Sequence, residues 1–312
     1  MTPNLAIVLP AYKSEFLQKT LQSICNQTDQ RFILYIFDDA SPHNIEQITQ
    51  QVSFDCKVKF KRFKRNLGKR SLTQQWERCI GETAEEDWIW LFSDDDIMTP
   101  DCVESFYKTV NVNPGFSAYR FNTKKVSVNG KVIKENEFPE ILDGAEFLNN
   151  KLSYKEESYI VEYVFSRRAY QEIDGFPDLP LAWTADDLFC LKLAQHGGIC
   201  SIKGGSVHWR YSDSNISGRK NRKNALLKVN AALEFVDWIM EKPNITQKLK
   251  PRELPITWYI RQIRSMLDQL TLIDQLKAVQ SVSHHDKGAW IHYFRMKKNR
   301  SKIYGWLKKF SS

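Results

Sequence analysis

Two short apolar runs in this chain, Phe32–Phe37 and Trp88–Phe92, each stop on a row of aspartates. Asp38 and Asp39 follow the first; Asp94, Asp95 and Asp96 follow the second, one residue after Ser93. Runs of this length suit strands buried on both faces. A strand that ends in carboxylates sets them at the rim of a sheet. Around these runs the chain alternates further strand-like and helical patterns. Leu5–Leu9 reads as a buried strand ending at Pro10, and Glu15–Asn26 places Phe16, Leu17, Thr20, Leu21 and Ile24 on one stripe. Lys57–Phe63 alternates more loosely, with Val58 and Phe60 on one side. Asn66-Leu67-Gly68 is a turn, and Leu72, Gln75/Trp76 and Cys79/Ile80 form a helical pattern behind it. Such alternation predicts an α/β fold with a mostly parallel, Rossmann-like sheet flanked by helices.

The 312 residues are 42% apolar, enough for a sizeable core and against wholesale disorder. No apolar run approaches the roughly 18 residues needed to span a bilayer. The N-terminus shows no basic segment followed by an apolar one, so no secretory signal is expected. The six cysteines are scattered without a C-x-x-C pair, which predicts reduced thiols and a cytoplasmic protein rather than a zinc site or disulfide framework. After residue 120 the pattern changes. Asn129-Gly130 lies between two alternating segments and predicts a hairpin in which both turn residues take positive φ. Asp143 is placed to cap a helix over Gly144–Asn150. Tyr159–Ser166 is a strand candidate, and Asp187–His196 a helix with Leu188, Leu191 and Ala194 or Gln195 on one face.

In open α/β sheets, ligands bind beyond the carboxyl ends of the strands. Both aspartate clusters fall there, and oxygen donors of this kind suit a hard divalent cation. Three consecutive carboxylates also repel each other, and a cation would neutralise them. The alternative is that they shape loops and cap the helix that starts near Pro100. No glycine-rich phosphate cradle of the G-x-G-x-x-G or Walker type is present, so a metal would be needed where such loops serve elsewhere.

The ordered set Ile7-Val8-Leu9-Pro10-Ala11-Tyr12, Leu21–Gln27-Thr28, Asp38-Asp39-Ala40-Ser41, Asn66-x-Gly68 and Trp90–Asp96 resembles family 2 glycosyltransferases of the GT-A fold. Gly175-Phe176, Trp183-Thr184-Ala185-Asp186-Asp187 and Leu193-Ala194-x-x-Gly197 extend the likeness over roughly residues 3–217. The resemblance implies an inverting, metal-dependent transfer from a nucleotide-sugar, with UDP-sugar expected. It places Pro10, Ala11 and Tyr12 at the nucleotide base and Asp39 on the uracil edge, where a carboxylate would accept the ring N–H. Asp38 would brace the loop. The resemblance implies Asp95 as the main ligand of Mn2+ or Mg2+, Asp96 as a second, and Asp94 on ribose or in support of the metal. The family's usual first Asp falls on Ser93, so the register departs from its commonest form. Asp186 matches the general base, with Ala185 where the family has Glu; Asp187 is adjacent, and a capping role for the following helix is the alternative. Ser212 stands where many members carry a His, and Arg210 is offered to the diphosphate in its place. His208 is either part of that segment's chemistry or a strand histidine. Lys69 and Arg70 are phosphate candidates, or solvated surface. Trp183 and Phe176 would flank an acceptor sugar, or belong to the core.

Charge divides the chain. Residues 1–218 hold 25 basic and 30 acidic side chains; residues 219–312 hold 20 and 7. This predicts a catalytic domain over 1–218 and a basic, mainly helical extension over 219–312. In the extension, Arg219-Lys220-x-Arg222-Lys223 and the basic run from Arg295 to Lys302 mix with Trp290, Tyr293, Phe294, Ile303, Tyr304, Trp306, Leu307 and Phe310. That mixture fits a peripheral segment on an anionic membrane surface, or an appendage packed by its aromatics. No nucleic-acid motif accompanies the charge, and none is expected as a partner. The expected acceptor is a glycan or lipid-linked sugar in polysaccharide biosynthesis. A non-catalytic sugar-nucleotide-binding protein and a glycoside hydrolase are the competing readings.

Overall fold

In the computed structural model, residues 4–211 and 220–295 are described. Twelve strands are formed among them: β1 (Leu5–Ala11), β2 (Ile33–Asp38), β3 (Lys57–Arg62), β4 (Trp88–Leu91), β5 (Ile97–Met98), β6 (Ala118–Arg120), β7 (Thr123–Val126), β8 (Val132–Asn136), β9 (Ile141–Leu142), β10 (Tyr163–Ser166), β11 (Ile199–Ser201) and β12 (Val207–Arg210). Eight of them form one sheet in the order β3-β2-β1-β4-β10-β6-β11-β9. The half from β3 to β4 is wholly parallel. Beyond β4 the pairings are mixed: β10 runs antiparallel to both its neighbours, while β11 is parallel to β6. The α/β expectation holds, with the parallel character concentrated in the first half.

The continuous apolar runs are buried on both sides because helices cover both faces. In β1, Leu5, Ile7 and Leu9 face one core, with Leu17, Leu21 and Ile24 of the helix Leu17–Cys25. Ala6 and Val8 face the other, with Cys79 and Ile80 of the helix Leu72–Gly81. The chain thus winds outward from β1 to β3 on one face and returns to β4 across the other. The reversal between β1 and β4 is the topological switch point of the sheet, where a crevice opens at the strand ends. Strand β3 is the outer edge, and its exposed Lys57, Lys59 and Lys61 discourage pairing with another chain.

A second, four-stranded sheet has the order β5-β12-β7-β8. Because β5 begins directly after Asp96, this sheet brings Arg210 back beside the aspartates. The hairpin β7–β8 forms as expected, but Gly130 alone takes a positive φ, at 79°. The Gly130 and Ser127 N–H groups bond to Ser127 and Lys131 carbonyls, so the connection is a five-residue loop rather than a two-residue turn. Tyr159–Ser166 is a strand only from Tyr163; a single 3-10 turn, Ile160–Glu162, precedes it.

The helix Ala185–His196 has no polar face of ordinary width: Ala185, Asp187, Leu188, Phe189, Cys190, Leu191, Leu193 and Ala194 are all buried. The reason is the chain beyond residue 219. Its helices Arg222–Met240, Leu254–Ser265 and Leu272–Val282 contribute Phe235, Val236, Tyr259, Ile260 and Val279 to the same apolar core as Ala6, Val8 and Phe189. No helix among the described residues is long and apolar enough to cross a membrane. All six cysteines are unpaired.

Candidate active site

Three strand ends are wired together at the switch point. Asp94, just past β4, accepts hydrogen bonds through Oδ2 from the main-chain N–H of Tyr12 (2.8 Å) and Lys13 (2.7 Å), just past β1. Ser41, in the loop after β2, donates from Oγ to the Tyr12 carbonyl (2.6 Å). Pro10 and Ala11 are the last residues of β1, and Ala11 pairs with Asp38. The Tyr12 side chain projects outward, 44% exposed, which leaves a ring face open at the crevice.

The aspartate triplet lies behind it, with Asp94, Asp95 and Asp96 only 7%, 6% and 1% exposed. Each is held differently. Asp94 is bound by the two N–H groups above. Asp96 accepts the Arg210 N–H through Oδ1 (2.7 Å). Asp95 is held by side chains, the Lys13 ammonium at 2.6 Å and the Ser93 hydroxyl. Burial, then the neighbouring Asp95 charge, pushes the Asp94 pKa up to about 6, and the same causes hold Asp96 well above the carboxylate range. Burial works against the Lys13 ammonium, yet Asp95 and Asp94 outweigh it and raise its pKa. Burial and mutual repulsion thus act on the triplet together, and a bound cation would relieve both. The donor set is all oxygen, and Lys13 Nζ already occupies the place of a cation on Asp95. These oxygen donors fit a hard divalent ion.

Asp38 accepts from the Ser41 N–H (2.7 Å) in its own loop and pairs with Arg62. Asp39 accepts from the Leu67 and Gly68 N–H groups (2.8 Å each) and from Arg78 (2.7 Å). Three of a carboxylate's roughly four lone-pair directions are thereby engaged. A Cβ on Gly68 would stand 2.8 Å from Asp39 Oδ2, so the Asn-x-Gly turn needs its glycine for this close approach. Lys69 and Arg70 follow that turn with exposed side chains.

The second acidic pair sits at the start of the helix Ala185–His196. Asp186 is inside the first turn, not at the N-cap; Thr184 holds that position and makes no side-chain cap bond. Leu181, Ala182 and Thr184 all take left-handed φ, at 58°, 51° and 64°. Backbone strain of this kind costs about 1–3 kcal/mol per residue and gathers at functional sites. The two aspartates are not equivalent. Asp187 is buried and ion-paired with Lys151 at 2.6 Å, across from the helix Gly144–Leu152. Asp186 is half-buried, and Asp187 donates its N–H to Asp186 Oδ1 (3.0 Å). Burial, then the Asp187 charge, pushes the Asp186 pKa up to about 7, with Lys151 acting in the opposite sense. The same lysine thus pairs with Asp187 and opposes the rise at Asp186.

Several expected site residues have other duties. The buried Arg210 guanidinium donates to the main-chain carbonyls of Asp95 (2.8 Å) and Val128 (3.0 Å) and lies 4.2 Å over the Phe16 ring. It braces the aspartate loop against the hairpin tip. Phe176 is core: 6% exposed, stacked on Phe189 at 3.9 Å and edge-on to Trp76. Trp183 packs against the same core, with the Lys228 ammonium 4.6 Å from its ring and its own Nε1 buried without a hydrogen-bond partner. His208 is a strand residue of β12, its pKa lowered by burial and by Lys124. Ser212 lies outside the described residues, as do Arg219 and everything from residue 296 on. Of the aromatics expected at an interface, Tyr293 is buried and donates to Gln275 (2.9 Å). Sequence reasoning missed Lys13 and Lys151. Lys13 could have been suspected as the residue beyond Tyr12, but no local pattern points to Lys151.

The family described as Glycosyl transferase family 2 matches residues 6–171, more than half of the chain. Among solved structures, S. aureus TarS 1-349 in complex with UDP-GlcNAc superposes with a TM-score of 0.69 at 15% identity, covering 93% of this chain and 81% of that one. The mannosyltransferase PcManGT from Pyrobaculum calidifontis, in complex with GDP-Man and Mn2+, gives 0.55 at 11% identity over 96% and 83%. GalNAc-T7 with UDP, GalNAc and Mn2+ gives 0.56 at 11% identity over 90% and 54%. At these identities the likeness concerns the fold.

Proposed function

We propose a specific reaction for this chain, which belongs to glycosyl transferase family 2: inverting transfer of a sugar from a nucleotide-sugar, UDP-linked by preference, to a hydroxyl of a glycan or lipid-linked acceptor. The observation that carries the reading is the convergence of Tyr12, Asp39 and Asp94–Asp96 at the ends of three adjacent parallel strands. Donor complexes of TarS and PcManGT, with UDP-GlcNAc and GDP-Man, support a nucleotide-sugar in this fold.

In this reading the exposed Tyr12 ring stacks on the base. The remaining lone-pair direction of Asp39 accepts a ring N–H, which favours uracil over cytosine. Asp95, with Asp94 and Asp96, holds Mn2+ or Mg2+, and the ion supplies charge stabilisation to the departing diphosphate. Lys13 adds a second positive group beside that charge. Asp186 takes the proton from the acceptor hydroxyl as its oxygen attacks the anomeric carbon. A base with pKa near the working pH serves this best, which separates Asp186 from the ion-paired Asp187.

The test is calorimetric titration with UDP and with GDP, each with and without Mn2+, on the wild-type protein and on Asp95→Ala. UDP is expected to bind more tightly with the metal present, and Asp95→Ala to lose that increment. Absence of nucleotide binding under every condition overturns the reading, and an undiminished increment moves the ligand role to Asp94 or Asp96.

A further inference from the structure

On the C-terminal helices, three side chains have the composition of a metal centre. Asp237 comes from the helix Arg222–Met240, and His284 and His285 directly follow Ser283, which ends the helix Leu272–Val282. One donor atom from each lies within 4.8 Å of the other two. His285 Nε2 stands 2.6 Å from Asp237 Oδ1, and His284 Nε2 stands 3.8 Å from the same oxygen. The two imidazole rings are 3.8 Å apart.

His284 Nδ1 lies 2.5 Å from the Ser281 carbonyl. That contact keeps the proton on Nδ1 and leaves the Nε2 lone pair on the Asp237 side, the outer-shell device by which ligating histidines are oriented. A second observation comes from the helix Leu254–Ser265. The Tyr259 hydroxyl is buried without a hydrogen-bond partner, and Asp237 adds to burial in holding its pKa above that of an ordinary phenol. An unpartnered buried hydroxyl thus stands on a helix packed against the one that carries Asp237.

We propose that Asp237, His284 and His285 form a metal site separate from Asp94–Asp96, for a borderline ion of the Zn2+ type, which ties the helix Arg222–Met240 to the end of the helix Leu272–Val282. Two imidazoles and one carboxylate are a zinc donor set, and the exposed position of His284 leaves a fourth place for water. The aspartate triplet, all oxygen, suits Mg2+ or Mn2+ instead. A tetrahedral ion with bonds of about 2.0–2.1 Å holds its ligand atoms roughly 3.3 Å apart. Asp237 and His285 therefore separate slightly and His284 Nε2 closes on Asp237, which side-chain rotation supplies. As the ion binds, the proton between His285 Nε2 and Asp237 passes to solvent.

Untagged full-length protein titrated with Co2+ tests this, read by visible absorption and by displacement with Zn2+. One equivalent of Co2+ is expected to give ligand-field bands, and Zn2+ to abolish them and raise the melting temperature. His284→Ala, at an exposed position, is expected to weaken Co2+ binding at least tenfold, as is His285→Ala; Asp95→Ala should leave it unchanged. No band in the wild type overturns the proposal. So does undiminished binding in both histidine variants, which leaves the cluster a hydrogen-bonded clasp. Loss of the band in Asp95→Ala places the ion at the strand ends and overturns it equally.

Discussion

Two groups of consecutive aspartates, Asp94–Asp96 and Asp186–Asp187, are held in opposite ways. Asp94–Asp96 are fastened to main-chain N–H groups and to Lys13, and burial with mutual repulsion raises the pKa values of Asp94 and Asp96. At Asp186–Asp187 one carboxylate takes the whole ion pair with Lys151, and its neighbour is left with a pKa near 7. The first arrangement calls for a cation. The second leaves one carboxylate with a raised pKa, as the proposed base requires. The difference lies in the partners, since the residue type is the same.

The sharpest way to break this contrast is Asp186→Asn. A positioned base contributes about 10²–10⁴-fold, and that loss is expected in kcat with UDP binding retained by calorimetry. An equal loss in Asp187→Asn, in a variant as stable as wild type, would erase the distinction between the two aspartates. Lys151→Met strands the Asp187 charge in the interior and is expected to lower stability by about 3–5 kcal/mol in urea denaturation. It also removes the positive charge that holds the Asp186 pKa down, so the acid limb of the pH profile should move to higher pH. In the wild type, the base works deprotonated. Below pH of about 7, kcat/KM for the acceptor should therefore fall roughly tenfold per unit, levelling off above it. The smallest effect is expected from Gly68→Ala. Its Cβ meets Asp39 at 2.8 Å and displaces the carboxylate from the turn, with a cost of about 1–3 kcal/mol in stability and weaker UDP binding.

The strands that carry the site were legible because each is a continuous apolar run: Leu5–Ala11, Ile33–Asp38 and Trp88–Leu91 fall within one or two residues of expectation. The helix Gly144–Leu152 starts where Asp143 was expected to cap it, and Asp143 accepts the Glu146 N–H. The roles of Arg210, Phe176 and Asp187 were not legible. Each depends on what packs against it from distant sequence: the hairpin tip at Val128 for Arg210, Phe189 for Phe176, Lys151 for Asp187. The Asn129-Gly130 turn misled in detail, since five residues close that hairpin and only glycine needs the left-handed region.

Charge counts along the chain divided an acidic part from a basic one, yet the helices after residue 219 bury Phe235, Tyr259 and Val279 in the core that also holds β1. Net charge records surface composition, while apolar contact decides which segments fold against one another. Residue order alone determined where carboxylates meet strand ends, because a period of two and the length of an apolar run are local properties. How far the Asp186 pKa departs from that of an ordinary carboxylate was decided only in the folded chain. Burial and the position of one lysine set that difference, and both are distances between residues far apart in sequence.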